Sequence, residues 1–150
     1  MTTNKNLSFL GKKVPYFMGV YPSDLLPFDN LVKYKKFSLI INLDPHTKPG
    51  SHYVALFINK YLNNKVIYFD PFGKNLTNKN IINFVKKINK NYIFSKKKIQ
   101  HDISDYCGLF CLAFCVYIYK DKPLYIFLDM FINNSMTNNF IVHKYLKENI

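Results

Sequence analysis

Arginine is absent from this chain of 150 residues, so its formal net charge of +12 rests on lysine alone. Lysine is a flexible point charge and matches phosphates and base edges less well than a planar guanidinium. No phosphate-cradling glycine loop, finger motif or aromatic RNA-reading motif accompanies it, so dedicated sequence-reading of nucleic acid is not expected. What remains is nonspecific attraction to DNA or another polyanion, carried by clusters at Lys33, Lys35 and Lys36, at Lys86, Lys87 and Lys90, and at Lys96 to Lys98. Long apolar runs are also missing. Met1 to Lys13 holds no continuous apolar core, so a signal peptide is not expected. The longest apolar stretch, Gly108 to Tyr119, falls short of the roughly 20 residues that span a bilayer. These exclusions predict a soluble intracellular protein with no membrane partner.

Cysteine is scarce and oddly placed. The three thiols fall at Cys107, Cys111 and Cys115, four apart on one helical face. That spacing forbids disulfides among them and lacks a nearby fourth ligand for a metal, so no metal site is expected. Cys111 and Cys115 read as small core residues. Cys107 differs, because a polar segment from Gln100 to Tyr106 ends on it and the apolar run begins just after. It is predicted in the first turn of a buried helix, where unbonded N–H groups and the positive dipole end favour a thiolate.

No repeat or linker divides the chain, and with 49% hydrophobic residues it is read as one domain over residues 1–150. Val14 to Pro22 looks extended, and Phe37 to Leu43 is a strong strand. His52 to Ile58 and Val66 to Phe69 are predicted to pair as a hairpin through Tyr61 to Asn64. Asp70-Pro71-Phe72-Gly73 breaks the pattern, and Thr77 or Asn78 can cap a helix carrying Ile81, Ile82, Val85 and Ile88 on one face. A further strand is expected within Tyr92 to Gln100, then the Cys107 helix, an apolar segment from Pro123 to Ile132, and an amphipathic helix from Thr137 to Lys147. The fold class is α+β, a mixed central sheet packed on a buried helix.

A reactive cysteine needs an imidazole, a group that orients the ring, and donors for the oxyanion. His52 opens one strand and Asp70 closes the next, so antiparallel pairing would make them neighbours across 18 residues. Gln100 can return toward Cys107 as an amide donor. Each residue alone has an ordinary reading: a surface histidine, a turn aspartate, a glutamine of no consequence. His101 competes as the base by proximity, while His46 and His143 read as solvated side chains. The joint arrangement carries the signal.

Taken together, Pro15-Tyr-Phe-Met-Gly19, Ser51-His52-Tyr53, Tyr68-Phe-Asp70-Pro-Phe-Gly73 and Gln100 with Cys107-Gly-Leu-Phe-Cys111 resemble the adenovirus-type maturation cysteine proteases, the adenains, and their relatives in virophages and polinton-like elements. The order of the pieces, His, acid, Gln, Cys, is the family's. By that resemblance His52 is the general base, Asp70 orients it, Cys107 is the nucleophile, and Gln100 with the Cys107 N–H forms the oxyanion hole. The resemblance implies the fold shared with ubiquitin-like-protein proteases, a monomer that processes capsid and core precursors inside the host and within the virion, and no cofactor in the chemistry. It also implies stimulation by DNA and a viral peptide. The chain departs from the adenovirus pattern in having Tyr53 where tryptophan is common, and Asp70 in place of glutamate. It also has no cysteine before Gln100 to tether an activating peptide. Two other readings stand beside this one: a protease that deconjugates a ubiquitin-like modifier, and a basic nucleic-acid-binding virion protein with a vestigial site.

Overall fold

The computed structural model describes residues 3–44, 52–101 and 106–150. The expected solvated His46 and the motif residue Ser51 lie outside them. Five strands form one mixed sheet in the order β1 (Phe17–Pro22), β2 (Lys36–Asn42), β3 (Tyr53–Asn59), β4 (Lys65–Phe69), β5 (Ile93–Phe94), with a single helical turn, α2 (Phe28–Leu31), between β1 and β2. The two outer pairings are parallel and the two inner ones antiparallel. The β3–β4 connection is a single 3-10 turn, Lys60–Leu62, followed by Asn63 and Asn64 in the left-handed region. Asparagine tolerates that conformation better than most residues, which closes the predicted hairpin tightly.

Every residue of β3 is buried, because both faces of the sheet are covered. Leu39, Ile41, Val54, Leu56, Ile58 and Tyr68 face α3 (Lys79–Lys86), while Ile40, Tyr53, Ala55, Phe57, Ile67 and Phe69 face α4 (Cys107–Ile118). The α4 helix is apolar around its whole circumference and passes through the core, as the unbroken run from Gly108 predicts. The Phe114 ring stacks on Phe69 of β4, centroids 4.8 Å apart and planes within 3°. Of the two candidate caps for α3, Asn78 takes the role and accepts from the Ile81 N–H at 3.1 Å.

Two features refine the sequence expectation. A helix α1 (Asn4–Gly11), capped by Thr3 and anchored by fully buried Leu7, precedes the first strand. The strand expected within Tyr92 to Gln100 is the short pair Ile93 and Phe94, after which the chain leaves the sheet. Lys96, Lys97 and Lys98 are exposed there, and the Lys97 amine also donates to the carbonyls of Leu128 at 2.7 Å and Phe131 at 2.9 Å, at the end of α5 (Leu124–Leu128). The closing helix α6 spans Ser135–Asn149 and buries Asn138, Val142 and Leu146. Among the described residues, no helix is long and apolar enough to cross a membrane.

Phe114 is wholly buried between sheet and helices, so Phe114→Ala should cost about 3–5 kcal/mol of unfolding free energy. Urea denaturation checks this, and a loss under about 1 kcal/mol would contradict the packing.

Candidate active site

The antiparallel register brings the beginning of β3 against the end of β4, with Ala55 opposite Phe69. His52 lies just before β3 and Asp70 just after β4, so the pairing that builds the sheet also brings these two side chains together. The His52 Nε2–H donates to Asp70 Oδ1 at 2.8 Å. The same oxygen accepts the Phe72 N–H at 2.8 Å, and the Asp70 carbonyl accepts the Gly73 N–H at 2.8 Å. A tight turn thus locks the carboxylate before it meets the ring. Gly73 completes that turn at φ +70, and a Cβ there would lie 2.6 Å from the Lys96 carbonyl oxygen. Only glycine satisfies both constraints.

The other side of the ring faces Cys107. The Cys107 side chain lies close enough to the imidazole to raise its basicity alongside Asp70. Cys107 is the first residue of α4, following Tyr106, which offers no side-chain cap. The N–H groups of that first turn have no acceptor within the helix, so their dipoles favour negative charge at the sulfur. The residue is nearly enclosed, with 4% of its surface exposed.

Burial acts to lower the basicity of His52. Its hydrogen bonds to Asp70 and Cys107, and their negative charge, outweigh that and raise it from 6.5 to about 9. The ring is therefore held as an imidazolium at neutral pH, between a carboxylate and a sulfur. Cys111 and Cys115 are kept neutral instead. Burial, then the charges of Cys107, Cys115 and Asp70, holds the Cys111 thiol protonated. Burial likewise raises Cys115 to about 12, against a smaller opposing effect of the Ser38 hydroxyl. Cys111 spends its proton on the Tyr53 carbonyl at 3.4 Å, under the strand that carries His52. Tyr53 in turn donates its hydroxyl to Asn4 of α1.

Gln100 is completely buried, and its backbone N–H donates to the Pro71 carbonyl at 3.0 Å, beside the Ile99 N–H at 2.9 Å. The corner that carries Asp70 thus fixes Gln100 as well. The ring joined to Asp70 and the thiol is that of His52; His101 follows Gln100 half-buried, and His143 is exposed and meets the Tyr106 ring edge-on at 5.1 Å. One neighbour had no assigned role in the sequence reading. The Phe72 ring stacks on His52 with centroids 4.6 Å apart, shielding the imidazole, and the Lys74 and Lys98 amines each lie 5.9 Å from its centre. Its position inside the Asp-Pro-Phe-Gly turn was the available signal. A cavity of about 340 Å³ opens beside this group, lined by His52, Asp70, Phe72 and Lys74 among others. No group of three or more metal-binding side chains occurs among the described residues.

No family model matches the chain. A protein of Acanthamoeba polyphaga mimivirus named "Putative thiol protease" is 28% identical over 143 residues, covering 81% of this chain. The chain spans only 45% of that relative. Among solved structures, the central domain of an uncharacterized Legionella pneumophila protein superposes with TM-score 0.62 at 16% identity, covering 99% of this chain and 97% of that one. ChlaDub1 from Chlamydia trachomatis gives 0.57 at 15% identity, covering 80% and 63%. The C-terminal ULP1 protease domain, solved with SMT3, the yeast ortholog of SUMO, gives 0.52 at 17% identity over 97% and 76%. The fold is that of the ULP1-like cysteine proteases. This agrees with the α+β class and the ubiquitin-like-protein protease fold expected from the sequence.

Two measurements follow from the electrostatics. Iodoacetamide at mildly acidic pH should label Cys107 and spare Cys111 and Cys115; equal labelling of all three would contradict the assigned burial. The His52 ring, followed by NMR, should titrate near 9 and move downward in Asp70→Asn, which removes the carboxylate charge. Because the folded-state value lies above the unfolded 6.5, this group's contribution to stability is complete below about pH 6.5 and fades as pH rises through about 9.

Proposed function

We propose that this chain is a cysteine endopeptidase in which Cys107 attacks the scissile carbonyl, His52 shuttles the proton and Asp70 orients the ring. The observation that carries this reading is a single imidazole hydrogen-bonded to a carboxylate, with a thiol at a helix start close enough to raise its basicity. With the proton already on His52, the sulfur adds to the carbonyl carbon, and the imidazolium then protonates the departing amine. Water, deprotonated by the same ring, cleaves the thioester and restores the thiol. Gln100 and the Cys107 backbone N–H are assigned to the oxyanion formed in each addition. No cofactor enters this sequence of steps.

The resemblance to adenain-type sequences and the similarity to a mimivirus protein named as a thiol protease support a viral substrate: capsid or core precursors, cleaved in the infected host and in the packaged virion. The lysine excess supports stimulation by DNA, through confinement of enzyme and substrate on one polyanion. A second reading has its own support in the fold shared with ULP1, a domain solved with a SUMO ortholog, and would make a ubiquitin-like conjugate the substrate.

Cys107→Ala should abolish cleavage while leaving the melting temperature near that of the parent, and retained cleavage would end the proposal. Gln100→Ala should lower turnover about a hundredfold or more; unchanged turnover would remove it from the mechanism. Parallel digestion of a capsid precursor and a SUMO conjugate, each with and without DNA, separates the two substrate readings. Cleavage of the precursor alone supports the first, and cleavage of the conjugate alone transfers the assignment to the second.

A further inference from the structure

Asn138, on α6, is entirely buried although it carries a polar side chain. An enclosed amide is costly unless its donors and acceptor are occupied. Here Oδ1 accepts the Ile132 N–H at 2.9 Å and Nδ2 donates to the Ile132 carbonyl at 2.6 Å. That pair alone suffices to dock α6 on the turn after α5. The Nδ2 group makes a further bond, to the Ile99 carbonyl at 2.7 Å, across 39 residues of sequence.

The Ile99 carbonyl belongs to the same peptide unit as the Gln100 N–H. Its oxygen is held by Asn138, and its N–H is held by the Pro71 carbonyl at 3.0 Å. Both ends of this one amide plane are thus fixed from opposite directions, one by the C-terminal helix and the other by the Asp70 corner. The Lys97 amine fastens the preceding turn of chain to the carbonyls of Leu128 and Phe131. With its amide plane fixed, the direction in which Gln100 projects is fixed too.

We propose that Asn138 is a positioning residue that aims Gln100 at the oxyanion. This rests on the peptidase reading above. An oxyanion donor acts only within a few tenths of an ångström of its place, so losing the Ile99 bond should act on turnover more than on substrate binding. The effect should pass entirely through Gln100.

A double-mutant cycle with Gln100→Ala tests this, using a peptide that the parent enzyme cleaves. Asn138→Ala should lower kcat about tenfold or more, with KM and the Cys107 alkylation rate within about twofold of the parent. In the Gln100→Ala background it should lower kcat no further. Equal losses in both backgrounds, or alkylation falling in step with kcat, would overturn the inference. Should Asn138→Ala fold poorly, Asn138→Asp keeps the acceptor for Ile132 but removes the donor to Ile99, and should behave the same way. A second readout needs no activity. In Cys107→Ala protein, Asn138→Ala should speed amide exchange at Gln100 about tenfold or more while the β3 amides keep their protection. Unchanged exchange at Gln100 would overturn the inference, whereas absence of cleavage by the parent protein counts only against the peptidase reading.

Discussion

The candidate site depends on one oxygen atom. Asp70 Oδ1 accepts both the Phe72 N–H and the His52 ring, so the turn that ends β4 and the histidine that begins β3 share a single acceptor. A carboxylate held by a backbone amide loses little further freedom on binding the imidazole, and the ring is oriented by a group already fixed in place. Pro71 extends the same economy of parts, since its carbonyl receives the Ile99 and Gln100 amides. Three of the four residues singled out from sequence are therefore organised by a turn of four residues.

Around that corner the imidazole carries its charge in an environment that would otherwise suppress it. Burial opposes the imidazolium, yet Asp70 and the sulfur on either side reverse the outcome. The remaining cysteines lie one and two turns further along the same helix and lack such partners, so burial dominates and keeps them protonated. Position along α4 separates the thiol beside the imidazole from the two enclosed ones.

Much of this was legible in the chain because it follows from local pattern. The apolar run after Cys107 requires a buried helix, and strands flanking a short polar turn require a hairpin with His52 and Asp70 at one end. What escaped was decided by tertiary contacts. The α1 segment carries Asn4, Asn6, Ser8 and Gly11, weak in intrinsic helix preference, and forms because Leu7 finds a place in the core. The lysine-rich stretch after Phe94 abandons the sheet because the Pro71 carbonyl and the end of α5 offer it better-placed partners. Phe72 and Asn138 look ordinary in sequence, as a turn aromatic and a mid-helix amide. Their roles arise only when distant segments meet.

The Tyr53 hydroxyl extends one of these connections to the far end of the chain. It binds Asn4 in the first turn of α1, while its backbone continues directly from His52 and its carbonyl receives the Cys111 thiol. The amino-terminal helix is consequently a brace on the strand bearing the imidazole. Force applied to that helix, by a fused tag, a bound antibody or proteolytic trimming, would be felt one residue away from the ring.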